Sequence, residues 1–340
     1  MGKSIVWYLP EKSGEVPNAC SYLRLLAPLY YRSNQSDFNL LELKKASDLL
    51  HPRTIGFTTN RTAAFQVPGL MDMLHIKKDS FRFIHWDTDD YSKEIDKDAK
   101  EAEYLLLLEE ARKFFTTVAT HITVSTEGIF KSFPSHKNVH LRRNAVPPNV
   151  WANSRNNNVS EYLFFGLKAH ETSLQELSKQ FSRIRSSTLS ESQIKVRIVG
   201  QFSSPLHPIF ESITVPNGLQ TYPKFAAWLS MKNTASCGIV INQDTSLNQG
   251  KSAMKFLEYS SLGIATLSTN HVSITSDVTA NMNTAQVPFK DLSSWMVENS
   301  RSKIVSVMAK KARDEVLATR TGHNDDQSMY QFFDYLFSPN

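Results

Sequence analysis

The segment NQGKSAMKFLEYSSLGIATLST (248–269) carries the residue types best suited to gripping an anionic ligand. A strand-like run, CGIVIN (237–242), leads into the loop DTSLNQG, and a helix is expected to start near Gly250 or Lys251. On such a helix Lys251, Lys255 and Glu258 stand at i, i+4 and i+7 and share one face, while Met254, Leu257 and Ser261 share another that can pack on a sheet. A helix that starts after a parallel strand presents free N–H groups at the strand ends, where ligands of open α/β sheets bind. A diphosphate there would meet the N–H groups near Gly250, Lys251 and Ser252, the Ser252 hydroxyl and ammonium charge. Glu258 lies roughly 10 Å further along the axis, from seven residues at about 1.5 Å each, where a carboxylate could accept from both hydroxyls of a ribose. The face suits a nucleoside diphosphate. An ordinary solvated Lys–Glu face has the same composition, and spacing alone leaves that alternative open. Gly250-Lys251-Ser252 also matches the end of a P-loop, but position 245, where its first glycine belongs, is Thr245.

A second cluster is acidic: His85, Asp87, Asp89 and Asp90 within HWDTDDY (85–91). Closely spaced oxygen ligands suit Mg or Mn, so a divalent metal site is one reading. A role beside a reacting hydroxyl, with Asp89 and Asp90 capping the next helix, is another, and capping with solubility alone is a third. Tyr222 precedes Pro223 at a helix start and reads as a core or capping group ahead of a base contact. Cys20 and Cys237 lack the paired histidine and orienting group that a thiol nucleophile needs.

Short strand patterns position these groups. SIVWYL (4–9), TIGFT (54–58), FRFIHW (81–86), HITVS (121–125) and VHLRR (139–143) alternate with helical stretches around 19–31 and 100–116. The rhythm repeats with EYLFFG (161–166), QIKVRIVG (193–200), SITVP (212–216), CGIVIN and IATLS (264–268), separated by helical patterns near 171–184, 222–232 and 249–262. A mostly helical tail spans 291–337. Alternating strands and helices argue for parallel sheets covered on both faces, here twice. WANSRNNNVS (151–160) is the clearest linker by composition.

The chain has 340 residues, enough for two domains. Lys plus Arg is 38 against 33 for Asp plus Glu, a net charge of +5. That excess suits nucleotides, phosphates or an acidic membrane surface and is too weak for a nucleic-acid binder. Two cysteines exclude a disulfide scaffold and fit a reducing compartment. No apolar run approaches about 18 residues, and MGKSIVWYLPEKSG reads as a first strand and not a signal peptide, so the expected location is cytoplasmic.

GKSAMKFLEYSSLGIATLST is similar to the donor-binding segment of the retaining group 1 glycosyltransferases of the GT-B fold, in particular the bacterial branch with the pattern KS-x-x-K-x-x-E-Y-x-x-x-G-x-P. Lys251, Ser252, Lys255, Glu258, Tyr259 and Gly263 match it, Ala265 stands where proline is usual, and Gly250 replaces the first of the family's two glutamates. HWDTDDY, VSTEGI (124–129) with RRNAVPPNVW (142–151), and FFGLKAHETSL (164–174) resemble further family segments in family order. The first 80 residues match weakly, through strand–loop–helix order, the Gly14 loop and Arg24. The resemblance implies two Rossmann-like parallel-sheet α/β domains facing each other across a cleft: residues 1–155 on the acceptor side, 156–322 binding the donor, and a last helix in 323–340 packing back on the first domain.

It further implies transfer of a sugar from a nucleotide-diphosphate donor to an acceptor hydroxyl with retention, without metal and with no cofactor besides the donor, in synthesis of a surface polysaccharide, lipopolysaccharide or glycoconjugate. On that reading Lys168, His170, Lys251, Ser252 and Lys255 stabilise the diphosphate, Glu258 holds the ribose, and His85 or Asp87 organises the acceptor. Asn144 and Trp151 would fix the domain junction, and Arg142 and Arg143 read as a solvated basic strand end ahead of phosphate contacts. The acceptor would be a glycan or lipid-linked glycan; the basic tail (Arg301, Lys303, Lys310, Lys311, Arg313) reads first as a helix solvated on one face and second as a peripheral contact at the inner face of the cell membrane. A nucleotide-sugar epimerase or hydrolase, or a non-catalytic sugar-nucleotide-binding subunit, would share these residues.

Overall fold

The computed structural model of the chain describes residues 3–33, 38–90, 102–134, 136–147, 150–152, 158–166, 171–200, 202, 204–241, 251–269, 284–321 and 328–338. The chain forms two compact units: Met1–Pro147 with Gln249–Ser252 and Gly322–Asn340, and Pro148–Asn248 with Ala253–Thr321. Between Ser252 and Ala253 the chain passes from one to the other.

The first unit is built on a six-stranded parallel sheet in the order β4-β1-β5-β6-β7-β8, formed by Phe38–Glu42, Ser4–Leu9, Thr54–Asn60, Phe83–Thr88, His121–Val124 and Val139–Leu141. Two further strands, β2 (Lys12–Ser13) and β3 (Val16–Pro17), pair antiparallel as a small ribbon after β1. Successive side chains of a strand point to opposite faces, and β1 feeds both. Ile5, Trp7 and Leu9 join the core under the Ala102–Val118 helix, where Leu108, Ala111 and Phe115 are buried. Val6 and Tyr8 join a second core with Leu25, Leu29 and the Phe332 and Phe333 rings of the Met329–Phe337 helix.

The helix after β3 contains a π turn. Its turns run Ala19–Ser21, then Tyr22–Leu26 in π geometry, then Ala27–Ser33. Pro28 has no N–H to give to the carbonyl of Arg24 four residues back. The ladder loosens, and the Ala27 N–H reaches Tyr22 O instead.

The second unit holds another six-stranded parallel sheet, in the order β11-β10-β9-β12-β13-β14. The strands are Phe210–Ile213, Lys195–Val199, Asn158–Phe165, Ala235–Val240, Ala265–Thr269 and Thr284–Val287. From β9 the chain builds outward to β11, then returns to the other side of β9 and builds outward to β14. The winding direction therefore reverses between β9 and β12. Leu174, Leu177, Phe181, Ile198, Ile239 and Leu267 fill the core.

Several elements depart from the sequence reading. β4 and β14 were not expected: each lies at a sheet edge and lacks a continuous apolar run, because one flank of an edge strand is uncovered. Asn158, assigned by composition to the linker, already opens β9. The helix expected from Gly250 or Lys251 begins at Met254, so Lys251 precedes it and does not share its face with Lys255 and Glu258.

That helix, Met254–Leu262, is held to its sheet through a glycine. The Tyr259 hydroxyl donates to Leu163 O at 3.2 Å and Ile239 O at 3.1 Å, which lays the ring across Gly238. A Cβ on Gly238 would stand 2.3 Å from the ring. Gly238→Ala should cost about 1–3 kcal/mol through this overpacking, read as a lower urea midpoint at unchanged slope; a wild-type midpoint would mean that the ring is not anchored there.

Candidate functional site

Ligands of doubly wound sheets bind beyond the carboxyl ends of the strands where the winding reverses. In the second unit that point lies between β9 and β12, and the described chain closest to it in sequence carries Phe165, Gly166 and the Met254–Leu262 helix. Glu258 is only 2% exposed, unusual for a carboxylate. Lys255, one turn earlier, donates to its Oε2 at 2.9 Å. The Lys255 ammonium also sits 3.7 Å from the centroid of the Phe165 ring. Phe165 is itself wedged between Tyr259, Phe225 and Trp151. The lysine is thus pinned by an acid and an aromatic face, with its side chain still 36% exposed. Pattern reasoning had Phe165 only as a strand residue; the FFG run at a strand end was the available signal.

Lys251 and Ser252 precede the helix, whose N-cap position is Ala253, a residue with no side-chain oxygen to cap it. The Ser252 hydroxyl accepts from Asn144 Nδ2 at 2.5 Å. Gly250, Lys168 and His170 lie outside the described residues. Tyr222 is buried, its hydroxyl accepting from Trp151 Nε1 at 3.1 Å.

In the first unit the carboxyl end of the sheet is dominated by two arginines, Arg24 buried and Arg61 partly buried. Arg24, on the π turn and 1% exposed, grips Asp87 through Nε (2.9 Å to Oδ2) and Nη2 (2.6 Å to Oδ1). Thr123 Oγ1 also donates to Asp87 Oδ1 at 2.6 Å. Burial pushes the Asp87 carboxyl upward, opposed by the guanidinium and the Thr123 hydroxyl. Arg24 Nη1 donates to Arg142 O at 2.7 Å and to Asn144 Oδ1 at 2.8 Å.

Arg61 follows β5 with a positive φ of 48°, a left-handed conformation that costs a non-glycine residue about 1 kcal/mol or more. Its backbone is held on both sides: its N–H donates to Asp87 O and its carbonyl accepts from Trp86 Nε1. Its guanidinium meets Asp89 at 2.6 Å, Asp90 at 2.9 Å and Glu11 at 3.4 Å. The residues that Asp89 and Asp90 were expected to cap, within 91–101, lie outside the described residues. Asp89 is held near 2 against burial, by Arg61 first. Among the described residues no group of three or more His, Cys, Asp or Glu side chains could hold a metal ion. Burial pushes the Cys20 thiol beside Arg61 well above its ordinary value, which disfavours the thiolate.

The sequence reading set His85 beside the acceptor hydroxyl; the structure places it in the interior instead. It is 0% exposed, with Nδ1 2.7 Å from Thr58 Oγ1 and Nε2 2.9 Å from Thr123 Oγ1. Phe332 and Phe333 pack on its ring. Both ring nitrogens are engaged, and burial lowers its pKa well below the usual histidine range. Asp87 likewise has no exposed surface and spends its charge on Arg24. The sequence names Arg24 only through the family likeness and gives no sign of Arg61, since a guanidinium enclosed by tertiary partners has no periodic signature.

No protein-family model matches the chain, and no curated protein does. Solved structures do match. Sucrose-phosphate synthase from Thermosynechococcus elongatus superposes with a TM-score of 0.68 at 10% identity, over 98% of this chain and 99% of that one. The Anabaena protein HepE, in complex with UDP and glucose, gives 0.62 at 9% identity over 98% of each chain. TarM gives 0.59 at 10% identity over 84% of this chain, which spans 55% of TarM. The fold is the GT-B fold of these glycosyltransferases, and at such identities the likeness speaks for the fold alone.

Asp87→Ala leaves the Arg24 charge buried without its partner and should lower stability by about 3–5 kcal/mol in urea denaturation; a loss under 1 kcal/mol would show that the pair holds nothing. A second expectation concerns pH. His140 is lowered to about 4 and His121 also lies below its ordinary value, by burial first and by neighbouring histidines second, with Arg142 adding at His140. With His85 they stand under the aromatic face of Met329–Phe337, where Phe332 contacts all three rings. These imidazoles are neutral when folded, so stability is whole above about 6.5, the unfolded value, and declines as pH falls from there toward about 4. The urea midpoint should drop over that window and drop less in His140→Gln; parallel curves for the two proteins would remove His140 from the account.

Proposed function

We propose that this chain is a glycosyltransferase that moves a sugar from a nucleotide-diphosphate donor to an acceptor hydroxyl. The observation that carries the reading is Glu258: a carboxylate with almost no exposure, braced by Lys255, on the helix that follows the strand where the second sheet reverses its winding. A buried acid is costly unless it has partners, and Lys255 leaves acceptor capacity for ribose hydroxyls. The donor's diphosphate lies at the start of the Met254–Leu262 helix, where the first N–H groups lack partners within the helix. Lys251, Ser252 and Lys255 stabilise it there, joined by Lys168 and His170, which follow β9 in sequence. The solved structures with UDP bound support a uridine nucleotide as the donor.

The acceptor meets the first unit, whose strand ends carry the Arg24–Asp87 and Arg61–Asp89 pairs. These side chains are consumed by one another, so they shape the acceptor's surroundings and take no proton from it. The retaining route that suits such a site needs no enzyme nucleophile and no metal: the departing phosphate oxygen accepts the proton of the hydroxyl that attacks from the same face. The protein supplies orientation and charge stabilisation. We place the reaction in the cytoplasm of a bacterium, in surface-polysaccharide, lipopolysaccharide or glycoconjugate synthesis, with a glycan or lipid-linked glycan as acceptor. No helix among the described residues is long and apolar enough to cross a membrane. The Lys303–Thr319 helix exposes Ile304 and Val307 together with Lys303, Lys310 and Lys311, a face suited to resting peripherally on an anionic bilayer.

A thermal-shift panel of UDP, GDP, CDP and ADP should raise the melting temperature for UDP above the other three. Glu258→Ala should weaken UDP binding about tenfold or more in calorimetry, the loss of hydrogen bonds to a charged acceptor. A chain that responds to no diphosphate, or an E258A protein of undiminished affinity, would sink the reading. Incubation with UDP-glucose and acceptor glycans, read by mass spectrometry, separates transfer from hydrolysis and from binding without turnover.

A further inference from the structure

We infer that Arg24 and Asn144 are positioning residues for Ser252, fixing the direction in which its hydroxyl donates to the donor's diphosphate. The inference rests on the donor reading above and gives these groups a role toward the donor that the reading does not assign.

Ser252 lies ahead of its helix in irregular chain, and Ala253 at the N-cap offers no side-chain oxygen to order the entry. The tie comes from Asn144, 108 positions earlier in sequence and within the same compact unit. An asparagine amide has a donating and an accepting end, and its orientation must be set by its neighbours. Here Arg24 sets it. Nη1 can only donate, so the amide turns Oδ1 toward it at 2.8 Å and Nδ2 toward Ser252 at 2.5 Å. The serine hydroxyl therefore accepts from Asn144, and its own proton is left to point elsewhere. Next to Lys251 and the helix start, the group it suits is a phosphate oxygen.

Arg24 cannot turn to release this arrangement. Its other donors are held by both oxygens of Asp87 and by Arg142 O, and it is enclosed in the unit's interior. The π turn that carries it is written into the sequence by Pro28, which removes the N–H that would have closed a regular turn over Arg24. Asp87, expected from sequence to act at the acceptor, thus acts three hydrogen bonds away from Ser252: it orients Arg24, Arg24 orients Asn144, and Asn144 sets the hydroxyl.

Asn144→Asp tests this with little change of shape. The carboxylate still accepts from Arg24 but can only accept from Ser252, so the hydroxyl turns inward and its proton is lost to the phosphate. In calorimetry, N144D and Ser252→Ala should each weaken UDP binding about fivefold. The double variant should bind no more weakly than S252A alone, and uridine should bind all four proteins equally. The S252A background separates hydroxyl direction from simple repulsion, because a repelling carboxylate would act whether or not the hydroxyl is present. If N144D does not fold, Asn144→Ala in the same cycle carries the test. Additive losses, or an equal loss for uridine, would overturn the inference while leaving the donor reading intact. A wild-type chain that takes up no UDP overturns both.

Discussion

A guanidinium and a carboxylate that meet no water can persist only as a pair with every polar atom satisfied, and Arg24 with Asp87 meets that demand. The pair determines more than its own stability. Asp87 lies at the end of β6, Arg24 on the π turn after the β2–β3 ribbon, and their shared partners are Thr123 on β7, the carbonyl of Arg142 and the amide of Asn144. Four separate stretches of the first unit converge on two charges. A buried ion pair is a weak source of net stability, but it penalises arrangements that leave either charge alone, and so selects one arrangement of these loops.

The same logic recurs around Arg61 and again around Glu258. Arg61 adopts a left-handed backbone that is maintained because its N–H, its carbonyl and its guanidinium are all engaged. Glu258 is tolerated in the second unit because Lys255 is held over it by the Phe165 ring. In each case a cost in solvation or conformation falls at the carboxyl end of a parallel sheet, where ligands of such sheets bind, and is offset by partners within reach. The clearest difference is the partner: the first unit's acids meet guanidinium groups, whereas Glu258 meets the ammonium of Lys255.

The alternation of strands and helices was readable because parallel strands covered on both faces are written as short continuous apolar runs, as in SIVWYL and EYLFFG. Phe38–Glu42 and Thr284–Val287 escaped notice because edge strands have one uncovered flank and need no such run. Lys255 and Glu258 were readable from a spacing of three, which puts two side chains on one helical face wherever the helix sits. Lys251 was misplaced because a helix start depends on capping and on the chain entering it, and Ala253 offers no capping signal.

What composition and periodicity determined alone was therefore local: the two runs of α/β elements, the Lys255–Glu258 pair and the acidic strand end. Tertiary structure decided which of those charged groups remain available. Desolvation depends on what covers a side chain, and cover comes from residues distant in sequence: Phe332 and Phe333 over His85, Arg24 on Asp87, Asn144 on Ser252. A histidine in a strand and an aspartate two residues later look reactive in one dimension. Three-dimensional packing turns the first into a neutral core ring and the second into the anchor of a buried arginine, since charge and hydrogen-bonding capacity become unavailable once neighbours have claimed them.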